Sequence, residues 1–447
     1  MAVLELPPVD FPPVVPPITA RVQQQALSWF ADVRPGEEAA LAAVLTEMAS
    51  DPAGNDVLPF GELTGLHFGR LILLDPTPAT DDHGAYPAKL CLLTDFDGDL
   101  EPHLDDLLAT AGPGLDRLLR YCEGYPAAKR DQGTEVRDAF VREHVARTNT
   151  VYINTAGRTV QQIRQEAALH EAIDAFLDAG DWTDATPRQI RAAIQDFVNS
   201  RHDLGWAMAP LPERTLGDWV RGAPGLAKTP LAIVATAPLW LPVLPFWAAA
   251  LLAKEATDET HDHLEPDEAH AARLAALEDH TPQNQFAAFG FVKEGPFRNL
   301  TANVLLRVTD YVTRYSFNRG QLTGVTTIHF ARWVFTDDDQ KRLLFASNYD
   351  GSLESYMDDF IDKVAWGLNA VFSNGVGYPR TWLLTIGGAR QEDEFKDYLR
   401  RHQVPSQVWF SAYPQLTAMN IENNAQIRAG LVGEISDSGC EKWLARV

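Results

Sequence analysis

Four polar residues in the second half of this 447-residue sequence have types and spacing that could do chemistry. His329 and Arg332 lie in one apolar run, and Asn348 and Asp350 end the next. An imidazole, a guanidinium, an amide and a carboxylate held together could transfer a proton or bind an oxygen-bearing ligand. We therefore take Asp350, Arg332 and Asn348 as candidate catalytic residues and His329 as the candidate cofactor ligand.

Each of these residues also has a structural interpretation, and both stay open. Asp350 precedes Gly351 where a strand gives way to a helix, so it could cap that helix or act as a proton shuttle. His329 could be a buried structural histidine, a haem or metal ligand, or an acid–base residue. In a regular strand His329 and Arg332 lie on opposite faces, and Arg332 could pair with Asp350.

The same pattern occurs earlier in the chain. Laid without gaps over Asp95–Pro126, the segment Asn348–Pro379 has eleven identities in 32 positions, which indicates a duplication. Upstream, residues 66–70 match residues 328–332, with a hairpin loop nine residues longer in the first copy.

The two copies differ at one chemically important position. Copy one offers His67, Arg70, Asp95 and Asp97, so Asn348 replaces a carboxylate. A neutral amide beside Asp350 could bond a ligand oxygen, whereas two nearby carboxylates would repel an anionic ligand. A site in copy two therefore predicts that His329→Ala abolishes ligand binding, whereas His67→Ala only lowers stability.

Periodicity predicts an α+β chain with the order β-α-β-β-α-β in each copy. Thr381–Ile386 is the predicted fourth strand of copy two, and its copy-one counterpart, Ala128–Thr134, is polar. A further strand follows in each copy, Thr150–Asn154 or Gln407–Ala412. We expect the two repeats to pack together with their sheets face to face. The predicted segments are a Pro-rich arm (1–23), repeat one (24–180), a helical insertion (181–283), repeat two (284–432) and a tail (433–447).

The insertion contains Thr229–Ala253, 25 residues without a charge. Its length would allow a membrane span, but Pro230, Pro238, Pro242 and Pro245 interrupt it. A single crossing would also separate the two copies. A membrane-dipping hairpin, a buried hairpin between domains and a true span remain the three interpretations. We predict that deleting the stretch releases the protein from membranes without unfolding it.

Bulk composition narrows the function classes. A formal charge of −23 argues against a nucleic-acid partner. Three cysteines without paired spacing indicate a reducing compartment. The N-terminus lacks the pattern of a signal peptide, so we expect a cytoplasmic protein peripheral to the inner face of the membrane, which could also form oligomers.

Two further groups of residues could form a site. The first combines three histidines with acidic neighbours and could bind a metal or form a solvated acidic face (His261, Asp262, His263, Glu265, Glu268 and His270). The second is a set of tryptophans in copy two, which could hold a flat apolar ligand or enlarge the core (Trp333, Trp366, Trp382 and Trp409).

The repeated element order, opened in copy one by the turn Val33-Arg34-Pro35-Gly36, resembles the dimeric α/β-barrel superfamily of ferredoxin-like domains. Tandem members of that superfamily include the dye-decolorizing peroxidases and the chlorite dismutase group, whose C-terminal copy binds haem through an axial histidine. The Asp-Gly pairs at Asp97 and Asp350 look like part of the peroxidase signature, although its leading glycine is missing and the long helix of copy two has no histidine.

The resemblance implies a pseudo-dimeric barrel and, for function, a haem-dependent, peroxidase-like oxidoreductase acting on an apolar small molecule. The stretch Thr229–Ala253 adds the expectation that this enzyme is membrane-peripheral. The alternative is a non-enzymatic, membrane-associated protein that binds a lipid or small molecule, or serves as a scaffold.

Overall fold

The computed structural model describes residues 22–80, 83–126, 133–209, 231, 234–261, 264–315, 322 and 324–447. The predicted Pro-rich arm lies outside the described residues up to position 21, and so do residues 128–132 of the predicted polar segment. Within the described part the chain is α+β, and its sheets are antiparallel.

The described strands form two main sheets and one short hairpin. They are β1 (Gln24–Asp32), β2 (Leu66–Leu74), β3 (Lys89–Asp97), β4 (Val145–Ala146), β5 (Thr150–Ile153), β6 (Gln283–Phe291), β7 (Ile328–Phe335), β8 (Arg342–Asp350), β9 (Thr381–Trp382), β10 (Ile386–Gly387) and β11 (Val408–Ser411). The first sheet has the order β11-β2-β3-β1-β4, the second has β5-β7-β8-β6, and β9 pairs with β10.

The described helices cover the sheets or join them. They are α1 (Glu38–Ala49), α2 (Leu100–Ala111), α3 (Gly114–Leu119), α4 (Thr134–Glu143), α5 (Val160–Asp178), α6 (Pro187–Ser200), α7 (Val234–Thr257), α8 (Glu268–Ala275), α9 (Pro296–Tyr315), α10 (Leu353–Phe372), α11 (Glu392–His402), α12 (Ala418–Leu431) and α13 (Asp437–Leu444).

Each main sheet includes one strand from the other half of the chain. β11 pairs with β2, with Val408 opposite Leu71, and β5 pairs with β7, with Thr150 opposite Trp333. The boundaries 24–180 and 284–432 therefore do not enclose separate sheets. Each half completes its sheet only with a strand that the other half supplies.

The two sheets face each other across an apolar layer. Side chains from both halves meet there, among them Ile72 and Leu93 from the first sheet and Val334 and Leu344 from the second. Alternate residues of a strand point to one face, so this layer uses the face opposite to the one that the helices cover. The expected contact between the halves is thus present within one chain.

The predicted fourth strand of copy two is wrong in detail. Only Thr381–Trp382 and Ile386–Gly387 are extended, and they form a separate hairpin. Leu383 and Leu384 have positive φ angles of 49° and 61° and make the turn between them. A six-residue strand cannot pass through two left-handed residues, so this segment joins neither main sheet.

A helical cluster occupies one end of the molecule. Side chains of α5, α6, α12 and α13 share a core with the short helix Gly205–Met208. The first part of the predicted insertion and the predicted C-terminal tail are therefore packed elements. Trp443 of α13 fills the space that Gly430 leaves, where a Cβ atom would come within 2.0 Å of the indole.

The apolar stretch is helical where it is described, and the predicted hairpin is absent there. The chain is helical over Val234–Thr257, with one 3-10 turn at Leu241–Val243. Pro242 and Pro245 lie in the first turns of their helical segments. Proline is tolerated there because the N–H groups of a first turn have no partner within the helix. This location explains why Pro242 and Pro245 do not force a hairpin.

Candidate functional site

His329 and Asp350 form a buried pair in the second half. The His329 Nε2 atom lies 2.7 Å from Asp350 Oδ1, and Asp350 Oδ2 accepts a 2.7 Å bond from the backbone N–H of Ala418. Ala418 is the first residue of α12. A carboxylate is favourable there because a helix N-terminus has unpaired N–H groups and a partial positive charge.

The first half repeats this arrangement. His67 Nε2 lies 3.0 Å from Asp97 Oδ1, and Asp97 Oδ2 accepts a 2.9 Å bond from the N–H of Val160, where α5 begins. The capping prediction was thus right about the type of interaction and wrong about the helix. Each aspartate bonds a helix that begins 60 or more residues later, not the helix that follows it directly.

Both histidines lie at a β-bulge. Ile328 pairs with Tyr349 and Phe330 pairs with Asn348, so His329 has no opposite residue. The bulge breaks the alternation of side chains, and the expectation of opposite faces fails. The His329 ring is 5.4 Å from the Phe68 ring, and Arg332 also contacts the first half.

The two histidines differ in the hydrogen bonding of their second ring nitrogen, Nδ1. His67 Nδ1 lies 2.8 Å from the hydroxyl of Tyr413, whose pKa is raised well above its ordinary value by burial. Within the described residues only Nε2 of His329 has a hydrogen-bond partner. At the same offset from its strand, the first half has Thr155 where the second has Tyr413, and a threonine is too short to repeat the contact.

Arg332 does not pair with Asp350. Its guanidinium donates to the carboxylate of Asp95 and to the carbonyl oxygens of Leu27 and Thr94 across the inter-sheet layer. The predicted Arg332–Asp350 pair is therefore corrected to an ion pair between the two halves. The reason is the face-to-face packing, which brings β7 opposite β1 and β3.

Arg70, on β2 of the first sheet, makes the reciprocal contacts with the second sheet. It donates to Phe286 O at 3.0 Å, to Ser347 O at 2.8 Å and to the side-chain oxygen of Asn348. Burial lowers the pKa of Arg70 to about 9, partly offset by the negative charge of Asp95. The guanidinium thus lies deep in the protein without a carboxylate as its direct partner.

Asn348 connects the contacts that Arg332 and Arg70 make between the two sheets. Its amide nitrogen donates to Asp95 Oδ2 at 3.3 Å, and its oxygen accepts from Arg70 and from Trp409 Nε1, the latter at 3.0 Å. These residues link the two sheets in one buried polar network, which we call the inter-sheet network (Arg70, Asp95, Arg332, Asn348 and Trp409). The amide that was predicted to bind a ligand oxygen binds protein groups instead.

Sequence reasoning missed a second duplicated polar contact. His103 Nε2 lies 2.8 Å from Thr94 Oγ1, and the hydroxyl of Tyr356 lies 2.8 Å from Ser347 Oγ at the equivalent positions. The duplication pairs these positions, but a histidine and a tyrosine are not identical, so the identity count did not show them.

The His103 contact predicts a measurable pH dependence. Burial lowers the pKa of His103 from 6.5 to about 4. Between these values the unfolded chain binds a proton that the folded chain does not, so stability falls as the pH falls. We expect the wild type to lose about 2–3 kcal/mol more than His103→Gln between pH 6.5 and pH 4 in urea unfolding. Equal losses in both proteins would show that His103 is not responsible.

The surroundings of His329 do not fit a haem. Its Nε2 is bonded to Asp350, and its ring is only 3% exposed and packs against Phe68 and Tyr413. An open cleft of about 410 Å³ lies beside the start of α12, but its lining contains no histidine that could ligate a haem iron (Asn154, Thr155, Thr326, Ala418, Met419, Asn420, Glu422, Asn423 and Arg446).

The other candidate groups do not converge either. Asp262 and His263 lie outside the described residues, and no group of three or more potential metal ligands occurs in the part that is described. Trp333 is in the core against Phe345, whereas Trp366 and Trp382 are exposed. The tryptophans therefore do not line one site.

The apolar helix α7 is the most unusual surface of the molecule. Only 6% of its most apolar 18-residue window is buried, and it is the one described helix long and apolar enough to cross a membrane. Leu251 and Glu255, near its end, are buried against the rest of the protein. Trp247 Nε1 donates to Thr301 of α9 at 3.2 Å. The helix is thus attached at one end and exposed along the remainder.

Comparisons with family models, with curated proteins and with solved structures gave no match.

Proposed function

We propose that this chain is a membrane-peripheral, non-catalytic binding or scaffold protein. Its two halves would be tandem ferredoxin-like repeats that close a pseudo-dimeric α/β barrel, and α7 would hold that body on the inner face of a cytoplasmic membrane. The exposed apolar surface of α7 carries the proposal.

Water contact makes the exposure of α7 unfavourable. Seven large apolar side chains in and just before α7 are exposed, with Leu239 at 75% and Phe246 at 76% (Leu231, Val234, Leu239, Leu241, Val243, Leu244 and Phe246). Complete burial of one such side chain contributes about 1.5–3 kcal/mol. A helix that is apolar on all sides and not covered by protein is typical of a segment that inserts into lipid.

The strand exchange supports an entry of α7 into the membrane from one side only. β5 precedes the apolar segment and β7 follows it, yet they are hydrogen-bonded neighbours in one sheet. Both flanks therefore belong to one body on one side of the bilayer, and a single crossing does not fit. The preceding sequence contains Glu213, Arg214 and Asp218, which are costly at the centre of a bilayer. These points favour a segment that dips into one leaflet.

The candidate catalytic residues support a binding role over catalysis. The carboxylate of Asp350, the guanidinium of Arg332 and the amide of Asn348 are all bonded to groups within the protein. A general acid or base needs access to the substrate proton that it transfers.

Substitution of the exposed apolar residues tests the membrane proposal. We expect Leu239→Gln combined with Leu241→Gln and Phe246→Gln to reduce binding to phosphatidylcholine vesicles at least a hundredfold in flotation. Deletion of 229–253 is a weaker test, because it also removes the buried Leu251.

A matched control changes exposed apolar residues outside α7, such as Leu277→Gln with Met419→Gln. This control should float like the wild type. Wild-type protein that stays out of the vesicle fraction would refute the membrane role.

The haem-dependent oxidoreductase stays a prediction from the resemblance. A Soret band in the purified protein would favour it over the non-catalytic binding or scaffold role.

A further inference from the structure

We propose that the β9–β10 hairpin is a second membrane-inserting element, held at the lipid–water boundary by α7. The inference rests on the proposed membrane role and adds the surface and the lipid chemistry. Trp382, Leu383 and Ile386 of this hairpin are exposed, at 43%, 42% and 58%.

The hairpin is built to keep its apolar tip in place. Leu383 and Leu384 are both left-handed, a conformation that costs non-glycine residues energy. The backbone of the turn is nonetheless fixed, because the Glu255 carboxylate accepts from Leu383 N at 2.7 Å, Leu384 N at 2.9 Å and Thr381 Oγ1 at 2.9 Å. Strain held by specific bonds at an exposed site indicates a binding element more than a loose connection.

The base of the hairpin is fixed as well. Asn369 donates to Thr385 O at 3.2 Å and to Gly387 O at 2.8 Å. A Cβ atom at Gly388 would lie 2.2 Å from Asn369 Oδ1, so the close approach requires glycine. The apolar tip is therefore presented from a rigid support.

Glu255 connects the hairpin to α7. This carboxylate belongs to α7 and is 1% exposed, so the hairpin lies at the end of α7 that joins the body. Val234 is roughly 30 Å further along the helix axis. When α7 enters lipid, its body-proximal end remains near the headgroups, which is the depth that tryptophan prefers. Trp382 is placed for that depth.

A third apolar stripe flanks the same region. Leu300, Val304 and Val308 are exposed at four-residue spacing on α9, which contacts α7 through Trp247. Successive residues four apart share one helix face. This continuity between α7 and α9 favours a lipid surface as the occupant.

The charge of the protein predicts the type of lipid. With a formal charge of −23 the chain gains nothing from anionic headgroups. Binding should therefore depend on apolar insertion, change little with salt and be weaker on anionic than on zwitterionic vesicles.

A fluorescent label at the hairpin tip tests the inference in the full-length chain. Cys91, Cys122 and Cys440 are buried, so Ile386→Cys offers a selective site for the environment-sensitive dye NBD. We expect phosphatidylcholine vesicles to increase its emission at least threefold with a blue shift. The same dye at Met419→Cys, on α12, should not respond.

The remaining outcomes separate the two proposals. Labelled protein that floats with vesicles while the dye at position 386 stays silent overturns the hairpin inference and leaves the role of α7 intact. An emission increase that depends on protein concentration without vesicles would also overturn it, since a second copy would then cover the tip. Protein that does not float refutes the membrane role itself.

Discussion

Replacement of Asp95 by asparagine should destabilise the folded protein by about 3–5 kcal/mol, the usual cost of leaving a buried charge without its partner. Asp95 is the carboxylate that faces Arg332, and it also accepts a bond from Asn348. Arg70 depends on the same negative charge, since Asp95 offsets part of its loss of solvation. The free energy of unfolding in urea measures the effect.

Two controls separate the effect of losing a buried charge from the effect of an aspartate substitution in general. Asp105→Asn, at an exposed ion pair with Arg142, should change stability by less than about 1 kcal/mol. Asp95→Leu combined with Arg332→Met should recover part of the loss, because the guanidinium that faces Asp95 is removed with it, while Arg70 still lacks the negative charge of Asp95. A loss below about 1 kcal/mol for Asp95→Asn would contradict the buried network.

The second large effect concerns the two helix-capping aspartates. We expect Asp350→Ala and Asp97→Ala each to cost about 2–4 kcal/mol, because each removes a bond to a helix N-terminus and leaves a buried histidine without its partner. Asparagine at either position keeps one acceptor oxygen and should cost less. Thermal and urea unfolding of the alanine and asparagine variants at both positions would measure these losses of stability.

Comparing the two positions distinguishes a structural role of the His–Asp pairs from a role of Asp350 in a functional site. Similar losses in both halves would mean that the His–Asp pair is a duplicated structural feature. A nearly normal stability for Asp350→Ala, together with loss of ligand binding, would restore the catalytic interpretation of Asp350. The original expectation that His329→Ala and His67→Ala differ in kind is tested by the same measurements.

The duplication in the sequence predicted much of the scaffold. Strands such as Gln24–Asp32 and helices such as Leu353–Phe372 occur close to where periodicity placed them. The reason is that apolar residues recur with the period of the helix or strand whose face they bury. The same spacing cannot say which sheet a strand joins. The apolar side chains of Val408–Ser411 would suit the sheet of either half. The pairing of this strand with β2 was therefore not predictable from one sequence.

The partners of polar residues were harder still to predict. Alternation along β7 placed Arg332 on a defined face of a regular strand, but its partner Asp95 is 237 positions away on the opposite sheet. The bulge at His329 moved a side chain that alternation would have placed elsewhere. At Leu383 and Leu384, the hydrogen bonds that their N–H groups donate to Glu255 override a local preference for extended backbone.

The exchanged strands also affect how the chain can fold as it is made. Leu71 pairs with Val408, which is 337 positions further along the chain, so the edge of β2 stays open until residue 408 has left the ribosome. An open apolar edge is a template for wrong pairing, and long-range pairing is slow. We therefore expect the nascent first half to be more prone to wrong pairing than the finished chain.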